Sequence, residues 1–463
     1  MKIKIQELGA IKDCTVDLSK KLIIFCGPNG TGKTYAAYAI YGLLKSQIHF
    51  GFNRELVSKF LENKKVNFTI NYEDLERYRT ELLNSFKEDF DGLFGIGAEL
   101  AKSHFHNTSI SFLDTAEEFK KSIHNASFEN KISIGRYDVL LTKTWGEDFV
   151  LVELLESTIT SADIEDFNIY LYSSIISTLA TYPVTSTYIL PVERNSIFTF
   201  NKELSIKKQE AVDHFHAMTG KGKVDKFELL FNKTTRYPLP IKDGLIVADD
   251  LSEIRKNRSD YFDFATKIES DLLNGWVDIS SDGEIQFRPK QSPRKSIPIH
   301  MTASIIKSLS SLVVYLKHLA RKNDLIIIDE QEINLHPDNQ IILTRLFAKL
   351  INNDFRLLVS THSDYVVREM NNLLMLSNTN DSIQDLREKF HYEADEVINI
   401  SDIDVLYFDY PAKLRGNKQV SVQKLKIDDS GFEIPSVDKA INGQNEIAEE
   451  LYYALKYSEK DEE

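Results

Sequence analysis

Five side chains are spaced along the chain in a way that suits the handling of a polyphosphate: Lys33, Thr34, Asp329, Glu330 and His362. Lys33 and Thr34 close the segment Gly27-Pro28-Asn29-Gly30-Thr31-Gly32-Lys33-Thr34, two glycines with four residues between them followed by Lys-Thr, which is the P-loop pattern. Glycines let successive backbone N–H groups turn inward as an anion nest, and a helix starting there aims its positive end at the same point. Asn29, Gly30, Thr31 and Gly32 would line that cradle, Lys33 would reach the outer phosphates, and the Thr34 hydroxyl would join a Mg²⁺ shell. Asp329-Glu330 ends the apolar run Leu325-Ile326-Ile327-Ile328, a Walker B arrangement. Asp329 can hold the Mg²⁺ shell, and Glu330 is the general base for a water molecule. His362, in Ser360-Thr361-His362-Ser363, follows another apolar run and can donate to a terminal phosphate oxygen.

These residues need a scaffold, and the pattern around them supplies one. Leu22 to Cys26 reads as a buried strand into the loop, and Lys33 to about Lys45 as a helix with Ala36, Ala37, Ile40 and Leu44 on one face. Later, Ala303 to Ala320 reads as amphipathic helix, Asp324 to Glu330 as strand, Pro337 to Ile351 as helix, Arg356 to Ser360 as strand and Tyr365 to Asn371 as helix. Such alternation predicts an α/β fold with a mostly parallel core sheet, flanked by antiparallel strands that include Lys2 to Gln6 and Cys14 to Leu18. Ser186 to Leu190 is a further strand, ending in Pro191-Val192-Glu193-Arg194. A charged pair there sits at the rim where ligands bind, and a structural ion pair is an equal reading of it.

The division that follows puts the first part of the core in residues 1–45, a mainly helical insertion in 46–185, and the Pro-x-Glu-Arg strand in 186–200. A helical segment occupies 201–275, the second part of the core 276–400, and a strand, hairpin and helix 401–463. Within the insertion, helices are expected at Glu55 to Asn63, Asn71 to Asp89 and Asp163 to Thr181, with a hairpin in Ile132 to Leu155. Asn201 to Thr234 reads helical, its Lys207-Lys208 and Lys221 to Lys226 patches being solvated faces. After the helix Asp260 to Leu273, short strands are expected at Trp276 to Ile279, Glu284 to Arg288 and Ser296 to His300. Val405 to Phe408 reads as a strand, Asp428 to Gly431 as a hairpin and Asn445 to Tyr457 as a closing helix.

Composition narrows the class. With 463 residues, 42% hydrophobic and 27% charged, the chain has the balance of a water-soluble globular protein, and no run approaches membrane-spanning length. A net charge of −14 argues against a surface that is basic all over. Cys14 and Cys26 are too few for a disulfide framework or a zinc site, which fits a reducing cytoplasm. Asp402-Ile403-Asp404 is an isolated acidic pair of the kind usually found as loop chemistry.

Taken together, Leu325 to Glu330, the following Ile333-Asn334-Leu335-His336-Pro337-Asp338-Asn339-Gln340, and Ser360 to Ser363 resemble the Walker B, D-loop and H-loop of ABC-type ATPases related to SMC and RecF heads. The chain is most similar to the OLD-like bacterial ATPases, a group that includes the ATPases of the PARIS (AriA) and Septu (PtuA) defence systems and of OLD nucleases. The resemblance covers the start of the chain to Leu44, then Tyr188 to Phe198, then Trp276 to about Leu376. It implies ATP and Mg²⁺ as ligands and hydrolysis to ADP and phosphate. Ser304, in Thr302-Ala303-Ser304-Ile305, falls where the group has its signature, here without the signature glycine. Asn334 falls in the D-loop, Glu193 and Arg194 near the Q-loop region, and no glutamine matches the Q-loop itself.

ABC-type sites are completed across a dimer, so the resemblance implies at least a homodimer. No Toprim nuclease follows the histidine strand and no HNH-like cluster is present, so a cut in nucleic acid would be made by a separate Toprim-like or HNH effector. The PARIS-like reading adds a phage-encoded trigger protein, and the Septu-like reading an HNH partner. A rival of another class is an SMC-head- or RecF-like clamp that binds DNA directly, through Lys290, Arg294 and Lys295. The acidic balance and the absence of a long arm disfavour it.

Overall fold

The computed structural model describes residues 1–46, 48–134, 137–155, 164–200, 237–410 and 419–458. The expected helix over Asn201 to Thr234 with its two lysine patches therefore lies outside the described residues. One sheet organises the rest. Its strands are β1 (Lys2–Leu8), β2 (Ile11–Asp17), β3 (Leu22–Cys26), β5 (Ser109–Phe112), β9 (Thr187–Leu190), β13 (Leu325–Ile328), β14 (Arg356–Thr361), β15 (Ile403–Asp409) and β16 (Val420–Lys424), in the spatial order β5-β1-β2-β16-β15-β3-β14-β13-β9. From β15 to β9 every pairing is parallel. The strands β1, β2 and β5 form the antiparallel flank.

The central strands read as continuous apolar runs because both of their faces are covered. In β3, Ile23 and Phe25 join one core with the helix Lys33–Lys45, while Leu22, Ile24 and Cys26 join a second core with the helices Ser304–His318, Pro337–Asn352 and Asp364–Met375. The same alternation divides Leu325 and Ile327 from Ile326 and Ile328 in β13. Because the parallel strands share one direction, their C-terminal ends meet at one edge, and that edge carries the P-loop, Asp329-Glu330, His362 and Glu193.

The insertion is more sheet-rich than its sequence pattern predicts. The expected helices are present as Arg54–Asn63, Tyr72–Glu88 and Ile164–Ala180. Beside them β4 (Lys65–Thr69), β6 (Phe128–Ile134), β7 (Tyr137–Lys143) and β8 (Phe149–Leu154) make a separate antiparallel sheet in the order β4-β8-β7-β6, and β5 extends the main sheet. The expected hairpin is thus the β7–β8 part of a larger unit. A second small sheet, β10 (Gly275–Ile279), β11 (Ile285–Pro289) and β12 (Ile297–Pro298), falls where the three short strands were expected. Near the C-terminus the expected hairpin is reduced to a single bridge between Asp428 and Gly431, and β16 lies upstream of it. Among the described residues no helix is long and apolar enough to cross a membrane.

Candidate functional site: a P-loop at the edge of the parallel sheet

The P-loop leaves β3 with Gly27, Gly30 and Gly32 at positive φ. Gly27 has no alternative: a Cβ there would stand 2.1 Å from the carbonyl oxygen of Phe408 on the neighbouring strand β15. The loop is therefore laid directly on backbone. The Thr31 hydroxyl donates to the Pro28 carbonyl at 2.8 Å, and the Tyr410 hydroxyl, just past β15, donates to the Gly30 carbonyl at 2.8 Å. Lys33 folds back along the loop, its ammonium donating to the carbonyls of Gly27 and Pro28 at 2.8 Å each. Burial pulls that ammonium below the ordinary lysine range, opposed by the nearby carboxylates of Glu330 and Asp329. Thr34 follows, half-buried, in the first turn of the helix.

Two strands away, β13 delivers Asp329 and Glu330. Asp329 is 1% exposed, and Ser360 of β14 donates to its Oδ1 at 2.5 Å. Its Oδ2 is buried with no hydrogen-bond partner among the described residues. A buried carboxylate oxygen of this kind suits a place in a cation's shell, so the residues present fit a Mg²⁺ ion held through Asp329 and Thr34. Glu330 is half-exposed and adopts φ 44°, the left-handed region that non-glycine residues occupy at a cost. Its N–H is anchored by Ser360 Oγ at 2.7 Å.

Arg194 departs from its expected place beside a nucleotide. Its guanidinium is buried and donates to the carbonyls of Pro191 at 3.1 Å, Asp329 at 2.9 Å, Glu330 at 3.1 Å and Gln331 at 3.4 Å. The planar five-donor fork matches that cluster of carbonyls, so Arg194 holds the turn carrying both acids and does not present itself to a ligand. Glu193 beside it is exposed at the rim, and its charge reaches Arg194 and Tyr38.

His362, at the end of β14, is joined to the Walker B turn by a residue that the motif reading passed over. Glu332 Oε1 accepts the His362 backbone N–H at 2.7 Å and lies 3.2 Å from His362 Nδ1. Gln340 makes a second tie: its Nε2 donates to the Leu335 carbonyl at 2.9 Å, and Ser363 donates to its Oε1 at 2.5 Å. The available signal was, for Gln340, its place in the segment that resembles the D-loop and, for Glu332, its place between that segment and Asp329-Glu330. Asn334 is exposed at φ 60°, and Ser304 is exposed at the start of its helix, neither being hydrogen-bonded to the P-loop among the described residues. Asp404 pairs with Lys424 at 2.6 Å and Asp402 with Lys21 at 3.7 Å. Lys290, Arg294 and Lys295 lie exposed in the β11–β12 region.

A family model described as an AAA ATPase domain matches residues 1–367. The chain belongs to that family. Its matched span takes in the P-loop, Asp329-Glu330 and His362, while β15 and Tyr410, which complete the wall of the loop, lie beyond it. The comparison with curated proteins gives no match. Among solved structures the ATPase is similar to an SMC head bound to the C-winged helix domain of ScpA, at 13% identity and TM-score 0.35 over 92% of this chain and 97% of that one. It is also similar to the SMC head domain from Thermotoga maritima, at 11% identity and TM-score 0.33 over 92% and 98%. A third is an Smc head domain with an extended coiled coil, bound to the C-terminal domain of ScpA derived from Pyrococcus furiosus, at 13% identity and TM-score 0.33 over 96% and 98%.

Proposed function

We propose that this chain is an ATP-hydrolysing, ABC-type switch subunit of a bacterial anti-phage defence system, acting in the cytoplasm as a homodimer or larger homo-oligomer that controls a separate nuclease-type effector. The observation that carries the hydrolytic part is the meeting of Lys33, Asp329, Glu330 and the Glu332-anchored His362 at the ends of neighbouring parallel strands. The defence part is supported by the motif resemblance to PARIS- and Septu-type ATPases.

In this reading the backbone N–H groups of Asn29 to Gly32 hold the phosphates, and Lys33 exchanges the Gly27 and Pro28 carbonyls for phosphate oxygens. Asp329, fixed through Oδ1 by Ser360 with Oδ2 left unpartnered, and Thr34 would hold a Mg²⁺ ion. Bound Mg²⁺ supplies charge neutralisation on the phosphates. Glu330 takes the proton of the attacking water, and His362 donates to the terminal phosphate. Glu193 is a further neighbour of the nucleotide, and Ser304 and Asn334 face the partner subunit's site. ATP then closes the dimer and hydrolysis releases it.

Two measurements test this. ATP turnover should be abolished by Lys33→Ala through lost binding, and lowered by Glu330→Gln by about 100-fold or more with binding retained, since general-base catalysis contributes roughly 10² to 10⁴. Turnover unchanged in Glu330→Gln overturns the general-base role. Co-purification with the products of neighbouring genes, sized with and without ATP, should give a defined oligomer carrying a nuclease-like partner. A lone dimer that recruits only DNA on adding ATP, with salt-dependent affinity, overturns the defence reading in favour of a DNA clamp.

A further inference from the structure

Glu332 takes no part in the chemistry above, yet its carboxylate is among the most constrained in the site. Its side chain is 8% exposed, one oxygen accepts the backbone N–H of His362 and lies 3.2 Å from the ring Nδ1, and the other is buried without a hydrogen-bond partner among the described residues. His362 itself is 43% exposed. A carboxylate attracts a ring nitrogen only when that nitrogen carries a proton, so the contact selects the imidazole protonated on Nδ1. In the neutral ring Nε2 is then a bare acceptor, which repels a phosphate oxygen, and only the doubly protonated ring donates from Nε2.

We infer that Glu332 is a positioning residue for His362: it holds the imidazole in the Nδ1-protonated tautomer, so that the ring engages a terminal phosphate through Nε2 as an imidazolium. The inference rests on the reading of this edge as an ATP site. The charged surroundings are consistent with it. Glu332 faces the ring from the Walker B turn, Lys33 on the P-loop helix feels Glu332, and Asp364, two residues along, is engaged by Arg368 at 2.5 Å. The device gives the protein a means of telling ATP from ADP, because only a terminal phosphate gains from the second ring proton.

Two readouts test it. In nucleotide-free protein labelled with ¹⁵N-histidine, the ring signals lost in His362→Gln should show the Nδ1-protonated tautomer at pH 8, a measurement that needs no substitution at Glu332. An Nε2-protonated ring in protein that binds ATP overturns the inference alone. The second readout is the ratio of ATP to ADP affinity. Glu332→Gln and His362→Gln should each reduce it by about 10-fold, within the range of coupled neighbours, and the double variant should reduce it no further. Additive effects, or an unchanged ratio in Glu332→Gln, overturn the inference. Wild-type protein that binds neither nucleotide overturns the ATP reading and, with it, the phosphate half of this proposal.

Discussion

The Ser360 hydroxyl donates to Asp329 Oδ1 at 2.5 Å while accepting the Glu330 N–H at 2.7 Å, so one side chain ties both Walker B acids to the strand that delivers His362. β13 and β14 are neighbours in parallel register, with Ile328 opposite Val359, and this places Ser360 just past the pairing that brings in Asp329. Ser360 is 0% exposed.

Replacing Ser360 by alanine should therefore uncouple the two acids without removing either. The variant should bind ATP within a few-fold of wild type and hydrolyse it about 10- to 100-fold more slowly, as a misplaced catalytic group near 1 Å off costs about 10². Single-turnover phosphate release set beside equilibrium binding checks it. Ser360→Thr, which keeps the hydroxyl, should recover part of the loss, and full activity in Ser360→Ala would exclude the coupling.

Arg194 is predicted to act through stability and geometry together. A lysine at this position has one ammonium where four carbonyls are now served by a fork, and the left-handed turn at Glu330 loses its clamp. Arg194→Lys should destabilise the fold by about 2–4 kcal/mol, the range for disrupting a buried charged network. Thermal unfolding should show a lowered midpoint, and hydrolysis below the new midpoint should still fall. An unchanged melt with a weakened ATP affinity would instead mark Arg194 as a nucleotide contact.

How much of this was legible in the sequence follows from which residues act locally and which act across the sheet. The parallel strands that carry the site were readable because buried parallel strands leave continuous apolar runs such as Leu325 to Ile328, and because glycine spacing marks the loop at Gly27 to Gly32, whereas their spatial order was not. The role of Arg194 was not, since its partners at Asp329 to Gln331 lie more than 130 positions away and a charged residue after a strand looks the same whether it faces a ligand or a backbone. Glu332 stood in plain view as the second acid after Asp329, but its contact with His362 depends on β13 and β14 being adjacent. The insertion misled for a different reason. The alternation in Phe128 to Ile134 and Lys65 to Thr69 is short, and their partners β7 and β8 close the small sheet only in three dimensions.

Tyr410 is a case where the site extends past the family span. Its hydroxyl holds the Gly30 carbonyl, the part of the loop with no side chain of its own. Tyr410→Phe should weaken ATP binding by about 3- to 10-fold, one hydrogen bond being worth roughly 0.5–1.5 kcal/mol, and leave the turnover of bound ATP nearly unchanged. Isothermal titration against single-turnover rates separates the two, and equal affinities would show that the loop holds its shape without this bond.

Asp324, directly before β13, carries the prediction with a pH sign. Its carboxyl is 2% exposed, accepts the Tyr315 hydroxyl at 2.5 Å and the Arg321 N–H at 2.8 Å, and is pushed up by burial to about 6 from an ordinary 3.8. Because the folded-state value lies above the unfolded one, the folded protein binds the extra proton between about pH 4 and 6. The stability contributed by Asp324 is therefore full below that window and is lost as pH rises through it, by roughly 3 kcal/mol for a shift of about two units. Asp324→Asn keeps an acceptor for Tyr315 and Arg321 but does not titrate. Its stability relative to wild type should rise from pH 4.5 to pH 7.5, visible as a larger difference in thermal midpoint at the higher pH. A difference that is constant across the window would mean that Asp324 ionises in the folded chain as it does in water.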